Sequence, residues 1–421
     1  MKKTHLSNGI PVFLVPSSGT EAATVLVMVK VGSRYETPAL NGVSHFIEHM
    51  LFKGTPRRKT PQDISRTLDA VGADYNAFTA KDETGYWVKV NRTHVPLAVD
   101  LLHDMLTSSK FSAPELARER HVIMEEINMY HDNPMMHVDE MLESVMFAGS
   151  TLGWEIAGTH KTMTEMPRAD VMAFWRRAYQ PRRMVIAVAG AFPKDTKARL
   201  EKSFGRKLTA PADMTYDPFL GFLTSRRPRV AIQYKETKQV QVAVGFPGVS
   251  HMDRRADAIR LLATILGGPM SSRLFTSVRE KRGLCYFVRA SHASFEDTGL
   301  FMVQSGLDRG RLGLAGKIIM QELRKMVKER VGGAELTRAK EYLAGKTILA
   351  LEDSSTVAEW YAKQELHTGT VLTPHEKLAR LRKVTPAQIQ DAAAWALDTR
   401  RMGLAGIGPF RREGELSKYF L

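Results

Sequence analysis

A single cysteine, Cys285, stands in 421 residues. No intrachain disulfide can form, so the chain gains nothing from an oxidising compartment. Long apolar runs are missing as well: no window approaches 18 consecutive apolar residues, which excludes a helical membrane span. The opening "MKKTHLSNGIPVFLVP" has no apolar core of the signal-peptide kind and reads as strand, Asn-Gly turn, strand. The expected location is the cytoplasm, with no membrane association. Low-complexity tracts are also lacking. Negative charge is scarce against positive charge, 45 Asp and Glu against 60 Lys and Arg, a net +15. Yet the arginine doublets are strewn along the chain from Arg57-Arg58 to Arg411-Arg412. No basic helix or tail concentrates them and no nucleic-acid motif accompanies them, so they read as a solvated surface with no nucleic-acid partner.

What is present is a repeat. "KDETGYWVKV" (81–90) matches "FEDTGLFMVQ" (295–304), with Thr84-Gly85 and Thr298-Gly299 offset by 214. "ELARERHVIMEEI" (115–127) matches "ELTRAKEYLAGKT" (335–347), and "ATVLVMVKVGS" (23–33) matches "VQVAVGFPGVS" (240–250). Each half reads as antiparallel strands, a helix, another strand and long helices. That predicts an α+β chain of two tandem homologous α/β domains, each an antiparallel-rich sheet with helices packed on one face. The stretch 206–228 carries three prolines and no periodicity. The expected domains are 1–210 and 229–421, joined by a linker at 211–228.

"SHFIEHML" (44–51) breaks the symmetry of the halves. At i, i+3 and i+4, His45, Glu48 and His49 share one face of a predicted helix. The 214 offset puts Ile259, Leu262 and Ala263 at the corresponding places, a plain buried face. The scaffold does not need the polar trio; it is an addition to one copy. Two neutral imidazoles four residues apart can both ligate Zn²⁺, and a carboxylate beside them can accept a proton from water. The order His-x-x-Glu-His is the reverse of the common zinc-peptidase order. The bland alternative is a pair of hydrogen-bonded core histidines, which an otherwise apolar helix face does little to support.

A zinc centre needs a third protein ligand. The amphipathic helix expected over 115–134 offers Glu119 and Glu126, two turns apart on one face, and Glu125 about 100° round. Spacing alone leaves all three open, including as surface carboxylates.

Four stretches together carry a resemblance: "HFIEHMLFKGT" (45–55), "DYNAFTAKDETGYW" (74–87), "ERHVIMEEINMYHDNP" (119–134) and "GGPMSSRLFTSVREKRGLCYFV" (267–288). In this order they resemble the M16 family of zinc metallopeptidases, nearest to its processing-peptidase branch, which includes the β-subunit of mitochondrial processing peptidase and bacterial homologues. The resemblance implies Zn²⁺ held by His45, His49 and Glu126, with Glu48 as general base, Glu119 as helper and Glu125 unused. It implies that "NAFT" (76–79) is a sheet edge to which an extended peptide adds as a strand, making Asn76 and Phe78 substrate contacts. It further implies that Arg279 and Tyr286, seven apart in the second half, grip the peptide and stabilise the oxyanion. Read without the family, these two would be a helix-surface arginine and a core tyrosine.

The expected activity is zinc-dependent endopeptidase action on extended or unfolded peptides in an enclosed chamber. The resemblance also implies a homodimer or a heterodimer with a related subunit. The competing reading is a catalytically silent structural or assembly subunit of the same fold, since fold does not fix function; the intact trio argues against it.

Overall fold

The computed structural model describes residues 1–206, 213–222, 224 and 229–421. The expected linker, 211–228, falls partly outside them. The chain forms two compact units that are interleaved in sequence. The first comprises Met1–Asn128, Glu155–Tyr216 and Ile348–Thr373; the second comprises Met129–Trp154, Asp217–Thr347 and Pro374–Leu421. The segments 129–154 and 348–373 thus belong with the half of the chain opposite to the one a contiguous division at 210–229 would give them.

Among its described residues the first unit holds six strands: β1 (Lys2–His5), β2 (Pro11–Pro16), β3 (Ala22–Val29), β4 (Asp74–Thr79), β5 (Thr84–Asn91) and β6 (Met184–Gly190). Their order across the sheet is β1-β2-β6-β3-β5-β4, antiparallel except where β2 runs parallel to β6. The strands β3 and β6, "AATVLVMV" and "MVIAVAG", read as continuous apolar runs because both sheet faces are covered. Val25, Val27 and Val29 face the main core with Phe46, Ile47 and Met50 of the helix Val43–Leu51. Leu26 and Met28, of opposite parity, pack with Ala358, Tyr361, Ala362 and Leu366 of the helix Ser354–Thr368. Burying a large apolar side chain is worth about 1.5–3 kcal/mol, so this single helix is a substantial cover for the back of the sheet.

The second unit repeats the plan with five strands among its described residues: β7 (Arg229–Tyr234), β8 (Gln239–Gly248), β9 (Cys285–Ser294), β10 (Gly299–Asp308) and β11 (Gly403–Gly408). Their order is β7-β11-β8-β10-β9, with β7 parallel to β11 and the rest antiparallel. The sequence repeats fall on equivalent elements: β3 and β8, β5 and β10, and the helices Ala113–Asp132 and Gly333–Ala350. Here too the back of the sheet takes a helix from the other half of the sequence, Pro134–Met146, through Val138, Leu142 and Met146. The expected α+β class and the duplicated architecture hold. Among the described residues no helix is long and apolar enough to cross a membrane.

Candidate metal centre

The site begins with how the helix Val43–Leu51 starts. Gly42 precedes it at φ +94°, and a Cβ there would meet Ala157 O at 2.6 Å, so the position demands glycine. The buried Glu36 carboxylate then caps the helix. It accepts from the amides of Gly42 at 2.7 Å and Ser44 at 2.8 Å, and from Asn41 Nδ2 at 3.1 Å. A carboxylate on the first-turn amides satisfies donors the helix leaves open and suits its dipole. Burial pushes the Glu36 carboxyl up, against the pull of those amides.

Val43, Phe46, Ile47, Met50 and Leu51 turn inward, leaving His45, Glu48 and His49 on one half-buried face. The imidazoles of His45 and His49 stand 4.6 Å apart at 71°. His45 Nε2 lies 3.6 Å, and His49 Nε2 3.5 Å, from the same oxygen, Glu126 Oε2. Glu126 and Glu119 share the inner side of the helix Ala113–Asp132, whereas Glu125 is exposed.

His49 is held from behind. Its Nδ1 donates to Glu119 Oε2 at 3.1 Å, and Lys53 Nζ meets the other Glu119 oxygen at 2.7 Å. Burial opposes ionisation of Glu119, but His49 and Lys53 outweigh it and hold the carboxyl below its usual range. Burial likewise works against charge on His49, yet Glu119 and Glu126 win and raise it to about 9. His45 goes the other way, to about 4, through burial and then the nearby charge of His49, with Glu126 opposing.

These residues fit a metal ion. Three donors 2.0–2.1 Å from one tetrahedral Zn²⁺ would lie about 3.4 Å from each other, close to the Nε2–Oε2 separations found. The ligand atoms of His45, His49 and Glu126 all lie within 4.8 Å of one another. His45 Nδ1 is buried with no hydrogen-bond partner, which leaves Nε2 as the nitrogen able to act as donor to an ion. Glu48 stands beside this set. Thr79 donates its hydroxyl to Glu48 Oε2 at 2.5 Å. Burial raises the Glu48 carboxyl, with Thr79 and His49 pulling it back and Glu126 adding to the rise. The charge of Glu48 also reaches the buried hydroxyl pair of Tyr86 and Tyr179, 2.6 Å apart; burial pushes both phenols up, then Tyr179 and Glu48 add to the rise of Tyr86, while the hydrogen bond with Tyr86 pulls Tyr179 back before Glu48 adds to its rise.

The expected peptide-binding edge, β4, does lie at the margin of its sheet. Asn76 is exposed, and its Oδ1 accepts from the Ala77 amide at 2.9 Å. The Phe78 ring lies against Gly85, where a Cβ would meet it at 2.5 Å, and under Lys363 Nζ at 5.3 Å. Phe78 thus packs on the back of the sheet, and the β4 residue that touches Glu48 is Thr79, of opposite parity. Thr79, Lys53 and Glu36 escaped the reading of the sequence. Alternation along "NAFT" carried the signal for Thr79. Arg279 and Tyr286 belong to the second unit, with the guanidinium 5.3 Å from the Tyr286 ring centroid and Tyr286 73 % exposed. The expected core tyrosine is therefore a surface residue of its own unit.

Comparison with known proteins agrees with this geometry. Residues 12–160 match the family described as insulinase (peptidase family M16), and residues 165–343 match the peptidase M16 inactive domain. An uncharacterized zinc protease of Streptomyces coelicolor is 38 % identical over 417 residues, covering 98 % of this chain and 90 % of its own. An uncharacterized zinc protease of Bacillus subtilis is 34 % identical, covering 97 % and 98 %. A protease from Helicobacter pylori has the same fold, with a TM-score of 0.90 at 22 % identity over 97 % of this chain and 99 % of that one.

Proposed function

The chain belongs to the M16 family of zinc-dependent peptidases, and from that premise we propose that it is an endopeptidase acting on extended or unfolded peptides with Glu48 as its general base. One observation carries the reading: His45 and His49 converge on a single Glu126 oxygen while Glu48, held by Thr79, stands beside them.

His45, His49 and Glu126 are the proposed metal ligands. Zn²⁺ held by them would supply Lewis-acid polarisation of the scissile carbonyl and of the attacking water. Glu48 takes the proton which that water sheds and passes it to the leaving amine nitrogen. Its raised carboxyl makes it a better proton acceptor than a solvated glutamate. Glu119 orients His49 so that Nε2 is directed at the ion. An extended peptide would pair with the free edge of β4 through main-chain hydrogen bonds, with little demand on its sequence. Asn76 and Phe78 then contribute chiefly through their backbone. The roles given to Arg279 and Tyr286, on the peptide and the oxyanion, rest on the family's Arg…Tyr pattern. An enclosed site and pairing with an identical or related subunit complete the proposal.

Cleavage of a flexible quenched-peptide library, with Glu48→Gln alongside, tests it. The parent should cleave, and Glu48→Gln should lose turnover by several orders of magnitude while keeping its zinc. Undiminished cleavage by Glu48→Gln removes Glu48 from the mechanism. A parent that neither cleaves nor retains zinc at His45, His49 and Glu126 overturns the whole reading.

A further inference from the structure

A second set of metal-ligating side chains lies outside the centre described above. The helix Ala113–Asp132 ends one residue after His131, and the chain turns sharply. Asn133 caps the next helix by accepting from the Met135 amide at 3.1 Å, and Pro134 occupies its first position. This tight turn brings His131 against His137, with ring centroids 4.4 Å apart at 46°. Glu140, one helical turn on, places Oε2 3.1 Å from His137 Nδ1. Ligand atoms of His131, His137 and Glu140 all lie within 4.8 Å of one another. His137 is 8 % exposed, so the set is seated in the fold.

From this geometry we infer that His131, His137 and Glu140 form a second divalent-metal site, independent of the first and structural in purpose. The donor set is again two imidazoles and a carboxylate, and the imidazole spacing is close to the 4.6 Å of His45 and His49. Such a set suits Zn²⁺, with Co²⁺ or Ni²⁺ as substitutes. In an ion-bound form Glu140 exchanges its hydrogen bond to His137 for the metal, and His137 presents a deprotonated nitrogen. Asp139, next to Glu140, is engaged by Arg289 at 2.8 Å. The site's place in the fold is what makes it structural. Its ligands straddle the Asn133–Pro134 turn, so an ion there would staple the last turn of one helix to the first turns of the next. That next helix is the one covering the back of the second sheet through Val138, Leu142 and Met146. Binding to the folded chain alone raises its stability.

The test uses the full chain, freed of metal by a chelator and titrated with Zn²⁺ alone, then with Co²⁺ as a spectroscopic probe. The parent should bind two equivalents. His131→Asn/Glu140→Gln should bind one, and His45→Asn/His49→Asn should bind one and keep the second site's Co²⁺ spectrum. Zinc should also raise the unfolding midpoint of the His45→Asn/His49→Asn protein. Glu140→Gln alone, the mildest change, should weaken one equivalent at least about tenfold. The inference falls if His45→Asn/His49→Asn binds no zinc, or if Glu140→Gln leaves every equivalent unchanged. Binding of one equivalent that is lost only in His131→Asn/Glu140→Gln upholds this inference and counts against the first centre instead.

Discussion

The Thr79 hydroxyl donates to Glu48 at 2.5 Å, joining the sheet edge proposed for substrate to the carboxylate proposed as base. Thr79→Val keeps the shape and removes the donor. Turnover should drop about 10–100-fold with KM little changed and zinc retained, and Thr79→Ser should recover most of the loss. Steady-state kinetics on one peptide decide it; a KM effect alone would mean that Thr79 serves binding only.

The chain Lys53–Glu119–His49 should set metal affinity. Glu119→Ala leaves the His49 Nδ1 proton without its acceptor, and zinc affinity should weaken about 10–100-fold. Lys53→Met should weaken it less, because the His49–Glu119 bond survives. Competition with a chromophoric chelator measures both. Equal affinity in all three proteins would show that Glu119 orients nothing.

Glu36 should matter for stability out of proportion to its distance from any chemistry. Glu36→Gln turns one acceptor oxygen into a donor facing the Gly42 or Ser44 amide. The expected cost is about 2–3 kcal/mol, the scale for leaving buried donors unsatisfied. Urea unfolding of the metal-free protein reads it directly. A midpoint within error of the parent would show that the cap is dispensable.

His292 on β9 should make the fold acid-sensitive. Its Nε2 accepts from the Val249 amide at 3.0 Å. Burial holds the imidazole down to about 4, from an ordinary 6.5, with His251 acting the same way and Asp253 opposing. Between these values the unfolded chain binds a proton that the folded chain refuses. Stability is thus full above about pH 6.5 and falls as the pH drops towards 4, by about 1 kcal/mol per pH unit. His292→Gln retains an acceptor without a titrating group, so its unfolding free energy should decline less over this window. Parallel curves for the two proteins would assign the acid loss elsewhere.

Much of the centre was legible because helical periodicity is local. His45, Glu48 and His49 must share a face whatever surrounds them, and Glu119 and Glu126, two turns apart, must share another. The choice of Glu126 over Glu125 needed the resemblance; in the structure Glu125 is exposed. The side chains that brace the centre were not legible. Thr79 reaches Glu48 across 31 residues, and Lys53, just past the end of one helix, reaches Glu119 on another.

The sequence by itself determined the duplicated α+β plan and the polar trio grafted onto one copy, since repeats and 3.6-residue spacing are properties of the chain. Only the tertiary structure decided which helix closes which sheet. Pro134–Met146 and Ser354–Thr368 each cover the sheet built mainly by the other half. An apolar helix face states that it must be buried and leaves its partner unstated, because hydrophobic burial is non-directional. The same reason explains why Phe78 went to the back of its sheet and Thr79 to the front: strand alternation separates the two, but only packing chooses which face looks at Glu48.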